Sequence, residues 1–422
     1  MNEREAMRLG YLKRHMGPVM TVGAVSAFGI LATAAFYSFT GRRLGPDAFG
    51  LLAAFLSIVN IAAIGASALQ NAAAVSTART LAEPNDVHEP SSVSRRLDGA
   101  TVEALVLGGV GTLGVVLLAP MLADRLSTST LAIYLAALTI LPSFLFSVAQ
   151  GRLQGLGRAS AVVGWSASSQ VLRLLLAAAA LAVGLGAVSV LVAVLVSIAA
   201  VAVAAGWQVR RLQLRTTNSA FSLHSVILIM LTLSFAWLTN IDVMLVRIGS
   251  PESHAGRFAA AAVLAKMILI VPTTLSLYLL PRFVKRGRDS GAVRFGVNVI
   301  LLTVLGSGLV AVLAMTVLRG FLIAVFFGSG YAEAAELLPW LSLAYLPWAI
   351  AQGLLVRLTA AVSRSTLVVF VVAAVAQWVL AKSVLPDLGA MIAVVGGLGV
   401  VVASLMFILD YRHSRELEAV VV

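Results

Sequence analysis

Residues 223–282 read LHSVILIMLTLSFAWLTNIDVMLVRIGSPESHAGRFAAAAVLAKMILIVPTTLSLYLLPR. Two apolar runs flank a short polar turn, Ser250-Pro251-Glu252-Ser253-His254-Ala255-Gly256. Each run holds the roughly 20 residues that a helix needs to cross the hydrocarbon of a bilayer. The stretch is therefore a hairpin of two membrane spans, and two charges, Asp242 and Lys266, lie inside it. An ionisable group within a span is expensive and marks function by default. Asp242 lies five residues before Arg247, so ~7 Å deep at 1.5 Å per residue. Lys266 lies nine residues past Arg257, so ~14 Å deep. On antiparallel neighbours a lysine stem bridges that difference. Two readings follow: an ion pair that neutralises two buried charges, or a lysine that lines a cationic cavity, with Asp242 tuning it or binding a coupling cation.

The pattern repeats along the chain. Of 422 residues, 60% are hydrophobic and 11% charged, with no cysteine, and the mean hydropathy is +0.99. This excludes an ordinary soluble globular domain, a disulfide framework and a thiolate metal site. Twelve spans are expected: Pro18–Thr40, Phe49–Leu69, Gly99–Leu122, Thr130–Gln150, Ala159–Val183, Val188–Trp207, Leu223–Arg247, Phe258–Pro281, Val293–Leu318, Leu337–Leu358, Thr366–Leu385 and Gly389–Leu409. The polar start, Met1 to Gly17, precedes a full-length apolar run, which reads as a first span rather than a cleaved signal. Phe321–Phe327 is too short to span and is broken by Gly328-Ser329-Gly330; it reads as an interfacial or re-entrant piece. The longest loop, Glu83 to Arg96, is polar and suits a short surface helix.

Loop charge sets the orientation. With the N-terminus in the cytoplasm, 21 of the 30 Lys+Arg fall on the cytoplasmic side, seven on the outer side (Arg42, Arg43, Arg125, Arg247, Arg257, Arg319, Lys382) and two, Arg173 and Lys266, inside spans. This split follows the positive-inside rule, with both termini cytoplasmic. It also accounts for the net charge of +12 without nucleic acid as a partner.

The chain reads as a duplication of six spans. Gly45-Pro46-Asp47-Ala48-Phe49-Gly50 precedes the second span as Ser250-Pro251-Glu252 and Ala255-Gly256 precede the eighth. Ala149-Gln150-Gly151, with Pro142 upstream, matches Ala351-Gln352-Gly353, with Pro347 upstream. Six spans restore the starting side, so the repeats are parallel, and in such transporters the substrate pathway runs between the halves. The expected organisation is a cytoplasmic segment 1–17, a six-helix half 18–207, a linker 208–221, a second six-helix half 222–410 and a cytoplasmic tail 411–422.

The polar residues within spans form stripes. Ser166, Ser169, Gln170 and Arg173 share one face of the fifth helix, which should meet water or another helix rather than lipid. Asn60, Ser67 and Asn71 form a weaker stripe on the second, and matching Gly50 to Gly256 puts Asn60 at the position in its repeat that Lys266 holds in the other. Pro142, Pro272, Pro339 and Pro347 lie in or at the start of spans, where they permit bending or simply kink a packed helix. The five histidines are scattered at loops and span ends. No nucleophile–base arrangement, phosphate loop or metal cluster points to an enzyme.

Three segments carry a resemblance. Arg43-Leu44-Gly45-Pro46-Asp47-Ala48-Phe49-Gly50, the run from Asn240-Ile241-Asp242 through Ala255-Gly256-Arg257-Phe258 to Leu280-Pro281-Arg282, and Phe327-Gly328-Ser329-Gly330-Tyr331 with Ala334 following resemble the polysaccharide transporters, the Wzx-type oligosaccharide flippases of the MATE/MOP superfamily. The resemblance implies an all-α, MATE-like membrane protein of twelve helices in two halves, in a bacterial cytoplasmic membrane. It would move a polyprenyl-diphosphate-linked glycan outward for cell-surface polysaccharide biosynthesis by alternating access. It needs no cofactor beyond possible proton or sodium coupling, which would fall to Asp242. The diphosphate would meet Arg173 and Lys266, with Arg42, Arg43 or Arg357 at the mouths, and the sugars would meet Asn60, Gln70, Asn71 and Gln170. A polymerase or glycosyltransferases are candidate partners. The superfamily also holds cation-coupled multidrug exporters of the MATE type and lipid II flippases. The first would want several intramembrane carboxylates; the second commonly add two C-terminal spans, so an end at the twelfth favours the oligosaccharide branch. A non-transporting scaffold is the remaining reading, and the intramembrane charges oppose it.

Overall fold

The computed structural model describes residues 3–82, 99–212, 223–270, 272, 290–360 and 364–421. In chain order the helices are α1 (Glu3–Ala82), α2 (Gly99–Leu126), α3 (Thr130–Leu138), α4 (Ile140–Gly155), α5 (Ala159–Ala182), α6 (Ala187–Arg210), α7 (Leu223–Gly249), α8 (Glu252–Ala265), α9 (Ser290–Val317), α10 (Arg319–Phe326), α11 (Ala334–Ala360), α12 (Arg364–Val384) and α13 (Leu388–Val421), with 3-10 turns at Lys266–Leu269 and Ser329–Tyr331. No strand occurs among the described residues. The loop from Glu83 to Arg96, most of the linker before α7 and the end of the eighth span lie outside them.

The twelve expected spans map onto these helices. Nine described helices, with α3 and α4 as one bent rod, are long and apolar enough to cross a membrane. The first of the nine, within α1, carries two spans. α9 and α10 form a further pair bent by 80°, and α8 with its 3-10 continuation is the described part of the eighth span. The outward faces are apolar, as on α2, where Val110, Leu113, Leu117 and Met121 are exposed. This is an all-α, multi-pass membrane protein built as two six-helix halves.

The breaks have chemical causes. A turn is expected between the first two spans; helical geometry instead continues through α1 except at Gly45, with φ 72° and ψ 174°. Only glycine populates that region readily, and Pro46 then restarts the helix at a position where a missing N–H costs nothing. The gap between α3 and α4 falls at Thr139. Pro142 explains it, because its ring clashes with the carbonyl four residues back, at Leu138, the last residue of α3. Pro272 stands in the same relation to Ile268, inside the 3-10 turn Lys266–Leu269. The re-entrant piece expected at Phe321–Phe327 is α10 and the turn after it.

The chain forms two compact units. Unit 1 comprises Met1–Thr40, Ala66–Ala119 and Thr130–Ser222; unit 2 comprises Gly41–Gly65, Pro120–Ser129 and Leu223–Val422. In unit 1, α6 packs on both α4 and α5. Its core joins Phe146, Ala149 and Leu153 to Val201, Ala205 and Val209, and Trp165 Nε1 donates to Gln208 Oε1 at 2.6 Å. In unit 2, α13 packs on both α11 and α12 in the same pattern. There Phe235 meets the rings of Trp348 and Phe370 at 6.2 and 5.8 Å, and Trp348 Nε1 donates to Val395 O at 3.0 Å. Lipid tails are as apolar as leucine, so close approach and van der Waals contact hold such helices. Gly151 and Gly155 of α4 show it: a Cβ on either would lie 2.3 Å from Gln70 O or 2.6 Å from Ala74 O.

Candidate functional site

The hairpin charges meet. Lys266 Nζ donates to Asp242 Oδ1 at 2.9 Å. The Tyr345 hydroxyl, from α11, donates to Asp242 Oδ2. Asp242 is fully buried, whereas the Lys266 side chain keeps 18% of its surface exposed. The ammonium also lies 5.4 Å from the centre of the Tyr345 ring. Both carboxylate oxygens are thus engaged, and Lys266 is the one member of the triad whose side chain keeps accessible surface. A buried charge of this kind persists only when paired and hydrogen-bonded. Helix geometry sets the arrangement: Lys266 is the first residue of the 3-10 turn that interrupts the eighth span. A mid-helix 3-10 stretch often marks a hinge.

Below the hairpin tip, Arg247 is buried and donates to Glu252 Oε1 at 2.7 Å. The tip itself packs on the equivalent tip of the first half. A Cβ on Gly256 would lie 1.9 Å from Pro46 O, and one on Gly50 would lie 2.7 Å from Gly256 N. The two glycine motifs that the duplication pairs in sequence are therefore in backbone contact, and neither tolerates a side chain.

The stripe on α5 lies in unit 1. Its first member, Ser166, accepts from Gln150 Nε2 at 2.6 Å. Its last, Arg173, sets its guanidinium over the Phe36 ring of α1, 4.3 Å from the centroid. Arg173 is half-buried, and its Nε and the Gln170 Oε1 are inaccessible atoms without a hydrogen-bond partner among the described residues. An orphaned donor and an orphaned acceptor one turn apart call for a ligand or water that carries both functions.

The other candidates are placed as follows. Asn60 is half-buried and belongs to unit 2, with Lys266 and Asp242; Asn71, also half-buried, belongs to unit 1, with Arg173 and Gln170. Gln70 Nε2 donates to Gln154 Oε1 at 3.0 Å. Arg42 is exposed, and its guanidinium donates to carbonyls at the end of α10. Arg43 is exposed. Arg357 lies on α11, with its side chain outside the described residues. Three further residues are not expected from the sequence. Tyr345 and Phe36 give no signal there, since nothing in their spacing ties them to Asp242 or Arg173. Glu103, a buried carboxylate near the start of α2, does carry one, as a charge inside the third span.

The fold is that of MATE/MOP-superfamily transporters. Similar solved structures include a MATE in complex with MaD5 (16% identity, 95% of each chain, TM-score 0.63) and the lipid II flippase MurJ in an inward closed conformation (12%, 93% of this chain and 87% of that one, 0.65). A MOP-superfamily transporter from Pyrococcus furiosus, whose binding pocket has reverse polarity that suggests a different function, is also similar (14%, 95% and 94%, 0.63). Identities this low show the fold alone. No protein-family model matches the chain, and no curated protein matches it.

Proposed function

We propose that this protein is a flippase that translocates a polyprenyl-diphosphate-linked oligosaccharide across the cytoplasmic membrane of a bacterium for cell-surface polysaccharide biosynthesis, by alternating access. The observation that carries the reading is that each unit offers a cation within apolar sequence: Arg173 with an Nε orphaned among the described residues in unit 1, and Lys266 with a partly exposed side chain in unit 2. A diphosphate is the substrate group that suits them, through charge-assisted hydrogen bonds to a guanidinium fork and an ammonium. Gln170, Asn60 and Asn71 supply amides for sugar hydroxyls, and Arg43 and Arg357 supply charge nearer the span ends. Asp242 holds Lys266 until an anion competes for it, and is the group through which proton or sodium coupling would act. Both termini lie in the cytoplasm in this reading.

The second reading is a multidrug exporter of the MATE type. Glu103 favours it as a further buried carboxylate, but Arg173 and Lys266, the two cations within spans, suit an anion rather than an organic cation. A lipid II flippase would use the same cations. Deleting the protein and identifying by mass spectrometry the lipid-linked glycan that accumulates separates the three. An intermediate oligosaccharide supports the proposal, lipid II supports the third reading, and drug sensitivity without accumulation supports the second.

A further inference from the structure

Between Asp124 and Asp242 the chain holds seven arginines and neither a carboxylate nor a lysine. Three of the seven, Arg158, Arg210 and Arg211, stand at one end of unit 1: Arg158 caps the start of α5, and Arg210 and Arg211 close α6. The two helix ends are neighbours. Trp165 Nε1 donates to Gln208 Oε1 at 2.6 Å, and Ala161, one turn past Arg158, packs with Val162 on the core that holds Val209. All three arginines are exposed, and among the described residues none of them has an ion-pair partner. Arg152, at the same end of α4, is engaged instead: its Nη2 donates to Thr101 Oγ1 at 2.8 Å.

The guanidinium of Arg211 lies over the Trp207 ring, one turn back on the same helix, 3.4 Å from the centroid, and Trp207 is itself 57% exposed. The ring occupies one face of the guanidinium and leaves its N–H edge available for a planar contact with an oxyanion. The same face of α6 continues through Val203 and Ala200, both exposed, at the spacing of a single helical stripe. From Arg211 back to Ala200 is about 16 Å at 1.5 Å per residue, half of the ~30 Å of hydrocarbon and thus the depth of one leaflet. We propose that this end of unit 1 binds an anionic phospholipid of the cytoplasmic leaflet, with its phosphate on Arg158, Arg210 and Arg211 and an acyl chain along Trp207, Val203 and Ala200. Charge complementarity selects the occupant. A zwitterionic lipid brings its own cation to three uncompensated ones, whereas an anionic headgroup neutralises them. The loop charges put this end in the cytoplasm, and basic groups beside a bilayer recruit anionic lipid there. A second tryptophan–cation pair, Trp378 with Lys382 near the end of α12, is 3.9 Å apart. It carries one cation, with Asp387 five residues on, and is an ordinary interfacial anchor. The inference is independent of what the protein transports.

Native mass spectrometry of the full-length protein, in micelles doped with phosphatidylglycerol or phosphatidylcholine, tests the site through the lipid retained. The wild type should retain phosphatidylglycerol in preference, and lose that preference as salt rises. Arg158→Gln with Arg210→Gln and Arg211→Gln should weaken phosphatidylglycerol binding roughly a hundredfold, at about fivefold for each charge. Trp207→Leu keeps every charge, removes the ring beneath Arg211 and should weaken binding severalfold. Arg125→Gln, at an exposed arginine of unit 2, should leave it unchanged. Equal retention of the two lipids by the wild type overturns the site, as does undiminished phosphatidylglycerol binding by the triple variant or an equal loss in Arg125→Gln. Removing three cytoplasmic charges also weakens the topology signal. If the triple variant does not accumulate, Trp207→Leu decides alone, and unchanged binding in it overturns the site. A polyprenyl phosphate that displaces phosphatidylglycerol from the wild type at a tenth of its concentration also overturns it, and makes these arginines a capture site for the carrier lipid.

Discussion

Lys266 Nζ and Asp242 Oδ1 form a 2.9 Å ion pair inside apolar sequence, with the aspartate side chain buried completely and the lysine side chain partly exposed. This asymmetry fixes what each substitution should do. Lys266→Met leaves a buried carboxylate without its counter-ion, a loss of about 3–5 kcal/mol for a pair broken on one side. Replacing both partners, Asp242→Asn with Lys266→Met, should recover most of that stability, because the desolvation penalty of both charges disappears. Thermal unfolding in detergent measures both. If the double variant is stable and still supports normal surface polysaccharide, the pair is only structural and Lys266 leaves the proposed site.

Tyr345 provides a finer test of the same cluster. Tyr345→Phe keeps the ring near the ammonium and deletes the donor to Asp242 Oδ2. A buried acceptor left unmatched costs about 1–3 kcal/mol, so the melting temperature should fall by less than in Lys266→Met. If Asp242 couples transport to an ion gradient, Asp242→Asn should abolish the dependence of transport on proton or sodium gradients, while Tyr345→Phe should shift it. Transport and gradient dependence that both survive Asp242→Asn would remove the coupling role.

The fold is legible in the sequence because the bilayer imposes a length and a polarity that a single chain displays openly. Twelve apolar runs, two glycine–proline turns and a charge asymmetry need no tertiary information. Of the four prolines that the sequence offers as bends, Pro142 and Pro272 fall at interrupted spans, whereas Pro339 and Pro347 lie inside unbroken α11. Tyr345 is not legible, since its hydroxyl becomes part of the site only when α11 packs beside the hairpin, across 103 residues of sequence. The same holds for Arg42, which reads in the sequence as a charge at a mouth. Its carbonyl partners sit on α10, about 280 residues away, and only packing shows that it caps a helix. Lys266 and Asp242 are legible as a pair because they share one hairpin, where depth along antiparallel helices can be counted.

The contact between the paired glycine motifs gives a prediction independent of substrate. Gly256→Ala places a Cβ 1.9 Å from Pro46 O, a backbone atom that cannot rotate away. Overpacking of this kind typically costs about 1–3 kcal/mol, and here the backbone must move, so the cost should reach or exceed that range. Gly23→Ala, with no heavy atom near the added Cβ, serves as the matched control and should be neutral. Equal melting temperatures for the two variants would mean that the tips of the repeats are not in contact.

Arg173 is the residue on which the substrate reading depends most. Its ring contact with Phe36 is worth about 0.5–2 kcal/mol, so Arg173→Ala should cost modest stability and the protein should still accumulate in the membrane. Its guanidinium Nε, orphaned among the described residues, predicts a larger functional effect: surface polysaccharide should disappear and the lipid-linked intermediate should accumulate. Arg173→Lys retains the charge but loses the planar fork and much of the stacking, so it should restore only a minor part of export. Phe36→Leu supplies the opposite dissection, removing the ring while leaving the guanidinium intact, and should reduce export far less than Arg173→Ala. If Arg173→Ala makes normal polymer at normal protein levels, the stripe on α5 is a packing feature and the headgroup must be held elsewhere.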